Sequence, residues 1–264
     1  MNIRSHGSRR TAAITALLLG AACGLFAQTP VMTTVVVPVV GTVDGMNGYR
    51  WKTDIELKND LPTEATVSLT LPTVADQPVI ITTVPPGESV SFPDVINQAF
   101  GIDTALSPLV VQTLGKRSIG ISATVYGVRG TEVSPPQPIA IDYGNSFFPQ
   151  RVLAGLSFSD SYRTNVGVVN LGDREATFTV ALQRIPGRNL AVAHVTLPPD
   201  SIWHHPIQSM FPLISSGSDF QLVIETGDPA TYVYASVVEN QTNVARFIQP
   251  SLGVTSIEAA SVGH

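Results

Sequence analysis

The chain contains two copies of one segment. RWKTDIELKNDLPTEATVSLTL at 50–71 aligns without a gap with SYRTNVGVVNLGDREATFTVAL at 161–182, an offset of 111 residues. The identical pairs are Thr53/Thr164, Asn59/Asn170, Glu64/Glu175, Ala65/Ala176, Thr66/Thr177 and Leu71/Leu182. Downstream, VPPGES at 84–89 corresponds to LPPDS at 197–201. The match predicts two tandem copies of one folding unit, because a repeated unit keeps the residues that its own structure requires.

Both copies have the hydrophobic pattern of β-strands. Between 66 and 71 and between 177 and 182, apolar residues alternate with small or hydroxyl-bearing ones. This period of two indicates strands buried on one face. Further strands are predicted at 35–42, 79–84, 89–92, 109–113 and 119–128, with counterparts in the second copy. Short helices are predicted at 94–100 and 207–211, and the proline-rich segment 133–143 is predicted to be an edge strand or a hinge.

About seven short strands per hundred residues is typical of a β-sandwich. We therefore predict an all-β protein of two sandwich modules, the first over residues 28–142 and the second over 143–252, followed by a disordered tail at 253–264. Cys23 is the only cysteine and precedes both modules. Burial of apolar side chains, rather than disulfide bonds, is expected to stabilise them.

The first 27 residues have the three parts of a secretory signal peptide: a basic start, an apolar run from Ala12 to Phe26, and Ala27 as the last residue before cleavage. The run is short for a membrane span. The mature chain is thus predicted to be exported to the periplasm or the extracellular space, without a transmembrane span. Arg9-Arg10 partly matches a twin-arginine signal and Cys23 partly matches a lipoprotein box, so the export route and the cleavage site stay open.

Charge and motifs limit the classes of function. The formal net charge is −5 and there is no basic run after the signal, so we expect no nucleic-acid binding, which requires Lys and Arg against phosphates. Gly155 to Ser159 lacks the closing glycine of a serine-hydrolase elbow. No carboxylate pair and no glycine-rich phosphate loop stands out. The sequence predicts a protein that is not an enzyme and has no cofactor.

The combination of WKTDI at 51–55, Asn59, ATV at 65–67 and PPGE at 85–88 resembles tandem immunoglobulin-like β-sandwich modules of uncharacterised secreted bacterial proteins. The likeness covers about residues 33 to 250. It implies an immunoglobulin-like fold in the cell envelope or outside the cell, and it brings no catalytic residues with it. The second copy departs from the pattern at Asp200, which replaces the turn glycine, Gly87.

Residues shared by both copies are interpreted as structural. Trp51 and Tyr162 are expected to close the two cores, and the shared Thr and Asn residues to form hydrogen bonds at strand ends and turns. The alternative for both residues is an exposed platform on which a sugar ring stacks. Tyr49 and Trp203 are further candidates for such ligand binding.

Residues found in one copy include His194, His204 and His205. If residues 198–200 turn a hairpin, His194 and His204 would face each other as two metal ligands, with His205 on the opposite face. Two ligands do not complete a site, and no carboxylate can be assigned as a third, so no metal is predicted.

The function predicted from the sequence is that of a non-catalytic, exported structural, adhesive or protein-binding module. Its partner would be another protein or a cell-surface polymer. The alternatives are a carbohydrate-binding β-sandwich protein and a periplasmic chaperone-like protein of two domains.

Overall fold

The computed structural model describes residues 32–74, 76, 79–115, 119–142, 148–186 and 188–252. These residues form an all-β structure in which every described strand pairing is antiparallel, with two α-helices of four residues each and a three-residue 3-10 helix at Met46–Gly48. The predicted fold class is confirmed at this level. The predicted signal peptide and the predicted tail lie outside the described residues.

The first module is built from two sheets. Its elements are β1 (Met32–Asp44), β2 (Arg50–Lys58), β3 (Ala65–Thr70), β4 (Ile80–Val84), β5 (Ser89–Phe92), α1 (Val95–Gln98), β6 (Ala105–Leu114), β7 (Gly120–Arg129), β8 (Glu132–Val133) and β9 (Gln137–Pro138). Sheet 1 has the order β4-β3-β6-β1, and in sheet 2 β5 and β7 flank β2 while β8 and β9 pair with β7. The last two residues of β1 pair with β2, so β1 joins the two sheets.

The second module repeats this arrangement. Its elements are β10 (Gln150–Phe158), β11 (Tyr162–Asn170), β12 (Ala176–Ile185), β13 (Arg188–Leu197), β14 (Ser201–Pro206), α2 (Ile207–Met210), β15 (Gly217–Thr226), β16 (Thr231–Glu239), β17 (Ala245–Ile248) and β18 (Ser251–Leu252). Sheet 3 has the order β13-β12-β15-β10-β18, and sheet 4 has the order β14-β11-β16-β17. The order of β10 to β17 is that of β1 to β7 and β9.

The register of the strands is also repeated. Thr53 lies opposite Val125 in sheet 2, and Thr164 lies opposite Val237 in sheet 4. A register shift follows Val37 in β1, and another follows Leu153 in β10. Positions in the two modules can therefore be equated residue by residue.

Each pair of sheets encloses its own hydrophobic cluster. The first cluster contains buried residues between Val35 and Ile139, and the second contains buried residues between Leu153 and Val237. Strands β3 and β12 contribute the alternating apolar side chains of 67–71 and 178–182, as the period of two predicts. The module boundary at 142/143 stays a prediction, because residues 143–147 are outside the described part of the chain.

The shared asparagines bind the same groups in both modules. The Asn59 side chain donates to the carbonyls of Thr63 and Val84, at 2.8 Å each, and accepts from the Leu61 amide at 2.9 Å. Asn170 has no exposed surface and makes the equivalent bonds, to the carbonyls of Arg174 and Leu197 and from the Gly172 amide. The predicted hydrogen-bonding role of these residues is confirmed.

The turn after Pro-Pro has one backbone conformation in both copies. Gly87 has φ +74° and Asp200 has φ +49°. Both lie in the left-handed region, which glycine enters freely and aspartate at a modest cost. The replacement of the glycine therefore keeps the positive φ at this position of the turn.

Candidate functional site

A cleft lies where the two modules pack against each other. It has a volume of about 110 Å³ and is mainly apolar. The residues that define this inter-module cleft are Val43, Trp51, Leu106 and Val125 of the first module and Arg163, His204, Tyr234 and Phe247 of the second. The first module contributes the end of its sandwich, and the second contributes the outer face of sheet 4.

Tyr234 forms the centre of that outer face. Its side chain is 1 % exposed, and its ring stacks on Phe247 with the centroids 5.5 Å apart. The ring crosses β11 at Gly167, where an added Cβ would lie 2.1 Å from the Tyr234 ring. Only glycine at position 167 leaves room for the tyrosine to lie flat on the sheet.

Three polar side chains of the cleft, those of Arg163, His204 and Tyr234, are already paired with each other or with a nearby loop. His204 Nδ1 lies 2.8 Å from the Tyr234 hydroxyl. Arg163 donates to the side-chain oxygens of Asn240 and Asn243, at 2.9 and 2.8 Å. These contacts fix the side chains and leave the cleft to make mostly apolar contacts.

Burial controls the ionisation of these groups. It lowers the pKa of His204 to about 4, and the nearby His205 acts in the same direction. Burial also raises the pKa of Tyr234 and lowers that of Arg163. At neutral pH the His204–Tyr234 pair is therefore uncharged, which suits a cleft between two packed modules.

The first module covers this face with Trp51, which is half-buried. The indole lies on Gly45, where a Cβ would come within 2.4 Å of Nε1. Trp51 and His204, which the sequence singled out for different reasons, line the same cleft. Trp51 thus packs between the modules, and it is not the open platform of the carbohydrate alternative.

Two other candidate aromatic residues lie elsewhere. Tyr49 is 2 % exposed, with Arg129 over its ring and its hydroxyl bonded to Glu132. The prediction that Tyr49 is an exposed ligand-binding residue is wrong, because Gly127 leaves a space that the ring fills. Trp203 is half-buried at the edge of the second core.

The hairpin expected to pair two histidines does not form. Residues 198–200 connect β13 in sheet 3 to β14 in sheet 4, so His194 and His204 lie on different sheets. His194 is exposed beside Thr179, whereas His204 lies beneath the first module. The two-histidine metal hypothesis is wrong in its geometry. Within the described ranges, no three His, Cys, Asp or Glu side chains are grouped to hold a metal ion.

Tyr162 differs from its counterpart Trp51. Its side chain is 42 % exposed, so the prediction that it closes the second core is wrong. It lies at an open pocket of about 460 Å³ that we call the open end of the second module, lined by Ser157, Tyr162, Val237, Glu239, Val244, Ala245 and Arg246. By register this is the same end of the sandwich that the first module uses to cover Tyr234.

Tyr234, Phe247 and Gly167 were not identified from the sequence. Their strands alternate like the others, and the alternation does not report whether a second module covers the outer face. The signal that could have identified them is the difference between the copies, since Gly167 and Tyr234 replace Glu56 and Ser122 at equivalent positions.

No helix in the described part of the chain has the length and apolar character needed to cross a membrane. Comparison of the chain with protein-family models, with curated proteins and with solved structures gives no match. The function is therefore inferred from the sheets, the inter-module cleft and the open end.

Proposed function

We propose that this chain is a non-catalytic, exported protein of two immunoglobulin-like modules that binds another protein in a structural or adhesive role. The binding surface of this proposal is the open end of the second module. The first module uses the same end to cover the outer face of sheet 4. That internal contact is the observation that carries the proposal.

The strand order supports the immunoglobulin-like assignment. In that fold one sheet has the order A-B-E-D and the other contains C, F and G. In the first module β1, β6 and β3 are neighbours, as B, E and D are, and β2, β7 and β9 are neighbours, as C, F and G are. On this mapping β4 and β5 form an insertion between strands D and E.

The composition of the open end suits a reversible contact. Tyr162 is an exposed aromatic side chain, and Val244 beside it is 38 % exposed. Ser157, Glu239 and Arg246 form a polar border. Exposed aromatic residues inside a polar rim are typical of protein-binding surfaces that form and dissociate. The internal contact, which joins two parts of one chain, is more apolar.

The test places a photo-cross-linking amino acid at Tyr162 in the full chain, within its own envelope fraction. A control carries the same group at Leu213, which is 96 % exposed and is not part of the open end. The partner joined through position 162 is then purified. Its affinity is measured for the unmodified chain, for Tyr162→Ser and for Leu213→Ser.

We expect Tyr162→Ser to lower the affinity by about tenfold or more, because a central aromatic residue contributes at least ~1.4 kcal/mol to such a contact. Leu213→Ser should bind as the unmodified chain does. Equal affinity of the Tyr162→Ser variant would contradict the proposed surface. A turnover activity of the purified chain would contradict the non-catalytic role.

Carbohydrate binding is the second candidate. Its support is the exposure of Tyr162, the counterpart of Trp51, rather than that of Tyr49, Trp51 or Trp203. A phenol ring with carboxylate and guanidinium groups beside it can stack on a sugar ring and bind its hydroxyls. A glycan array separates the two functions. Binding to glycans that is lost in Tyr162→Ser would favour carbohydrate as the ligand of the open end.

A further inference from the structure

Arg151 occupies a position at which the first module has a core valine. In sheet 3 Arg151 lies opposite Ile224, two residues before the register shift in β10. In sheet 1 Val35 lies opposite Val111, two residues before the corresponding shift in β1. Val35 is 2 % exposed and Arg151 is 8 % exposed. The second module therefore has a guanidinium at a position where the fold requires only an apolar side chain.

The Arg151 guanidinium is poorly compensated. Its only hydrogen bond within the described residues goes to the Thr231 hydroxyl, at the long distance of 3.4 Å. No carboxylate in the described part of the chain lies within ion-pair distance of it. A buried cation without a close partner is costly, because it has lost its hydration and gained little in return.

Arg151 lines a pocket of about 290 Å³ between the module junction and the second core. Tyr232 and Gln249 line the same pocket and can donate hydrogen bonds from a hydroxyl and an amide. Burial raises the pKa of Tyr232 to about 12, so its hydroxyl keeps the proton. The apolar walls include Ile141 and Pro250. Three donor groups of different geometry thus border one small cavity.

Asp142 also lines the pocket, and its charge favours the protonated guanidinium against the effect of burial. The same charge repels incoming anions, most strongly those with two negative charges. A singly charged, planar oxyanion therefore suits the pocket better than phosphate. The guanidinium fork matches a carboxylate with two parallel hydrogen bonds.

We propose that this pocket binds the carboxylate of a small organic acid or of an acidic sugar unit, with Arg151 as its main contact. The ligand would supply a counter-charge within hydrogen-bonding distance, which Asp142 does not provide, and the body of the ligand would lie against the apolar walls. This site is separate from the open end, so failure of either proposal leaves the other standing.

The experiment measures the binding of sodium galacturonate, sodium acetate, galactose and inorganic phosphate to the full chain, by calorimetry and by the shift in Tm at constant ionic strength. Acetate tests the carboxylate alone, and galacturonate tests it within a sugar unit. We expect both carboxylates to bind and to raise Tm. Phosphate should bind at least about tenfold more weakly, and galactose should have no effect. Equal responses to galactose and galacturonate, or tighter binding of phosphate, would overturn the assignment.

Two variants test the role of the guanidinium. Arg151→Met should fold, because the equivalent position in the first module is a buried valine, and it should lose the response to carboxylates. Arg151→Lys keeps the charge without the fork, and we expect at least about tenfold weaker binding. The control Arg174→Met removes a guanidinium whose side chain is 74 % exposed, and it should bind as the unmodified chain does. Unchanged binding by a folded Arg151→Met variant would refute the proposal.

Discussion

The outer faces of sheet 2 and sheet 4 occupy equivalent places in the two modules and differ most at their centres. In sheet 4 Gly167 leaves room for Tyr234, which the other module covers. In sheet 2 the corresponding positions are Glu56 and Ser122, and both are exposed. The strand order, the register and the buried asparagines are the same. The two copies have thus diverged at the surface that determines whether another module can pack there.

Polar groups pair with each other on the outer face of sheet 2. Lys52 lies 2.7 Å from Asp94, and Asp54 accepts a hydrogen bond from Tyr126 at 3.0 Å. Burying this face beneath another module would require these charges to lose their hydration. The ion pair and the exposed Glu56 therefore disfavour addition of a further module to sheet 2. The comparison indicates that each face carries the residues appropriate to being covered or solvated.

Replacement of the central tyrosine is the most severe test of this difference. Tyr234→Ala should lower the free energy of unfolding by about 3–5 kcal/mol, as for other large aromatic residues removed from a packed interior. Ser122→Ala, at the equivalent exposed position, should change it by less than about 0.5 kcal/mol. Urea denaturation of both variants gives these values. A loss below about 1 kcal/mol for Tyr234→Ala would mean that the modules do not depend on this contact.

The shared asparagines should be equally important in both modules. Asn59→Ala and Asn170→Ala each leave buried backbone groups without partners, at a cost of about 2–3 kcal/mol. Denaturation monitored by tryptophan fluorescence and by circular dichroism measures both losses. If one variant lost more than about twice the stability of the other, the two sites would not be equivalent in energy despite their equal geometry.

Protonation of His204 should weaken the contact between the modules at mildly acid pH. Because its pKa is about 4 in the folded chain and near 6.5 otherwise, the unfolded chain binds more protons between these values. Stability is therefore complete above pH 6.5 and falls as the pH decreases toward 4.

Comparison of the unmodified chain with His204→Gln isolates this effect from the titration of carboxylates. The unmodified chain should lose on the order of 1–2 kcal/mol more than the variant between pH 7 and pH 5. Thermal unfolding at the two pH values measures the difference. The equivalent residue in sheet 2 is Ser91, which does not titrate, and Ser91→Ala should leave the pH dependence unchanged. Parallel pH profiles for the chain and for His204→Gln would disprove the expectation.

The smallest expected effects are at the shared turn. Gly87→Ala introduces a Cβ at positive φ and should destabilise the first module by about 1 kcal/mol, although no atom lies within 4 Å of the new methyl group. Asp200→Gly should change the stability of the second module by no more than about 0.5 kcal/mol, since aspartate already tolerates this conformation. Thermal unfolding checks both. A larger loss in Asp200→Gly would assign the carboxylate a role of its own.

Local patterns predicted the strands well and their packing poorly. The alternation at 66–71 and 177–182 identified β3 and β12, because one face of each strand is buried within its own module. The sequence of 198–200 is compatible with a hairpin, whereas in the structure this segment crosses from sheet 3 to sheet 4. A Pro-Pro turn can have the same local sequence in a hairpin and in a connection between two sheets. Which of the two forms depends on the sheet against which the next strand is buried.

Side chains whose surroundings come from distant residues were also predicted poorly. Tyr49 precedes β2 in an exposed-looking loop, but Gly127 of β7 leaves the space that buries it. The environment of Arg151 depends on Thr231 and on the junction near Asp142. No periodicity in β10 reports these contacts. The equivalence of Arg151 with Val35 comes from the strand register, because the two positions do not share the 111-residue offset of the repeated segment.

The membership of β1 in both sheets of the first module has a mechanical consequence. It pairs with β6 from Met32 to Thr42 and with β2 at its last two residues. A pull along the length of this strand would load many of these hydrogen bonds at once, in shear. The two-residue pairing of β18 with β10 would yield far sooner. In a protein that transmits tension, β1 would therefore be a strong point of attachment, and β18, the last described strand, would detach first.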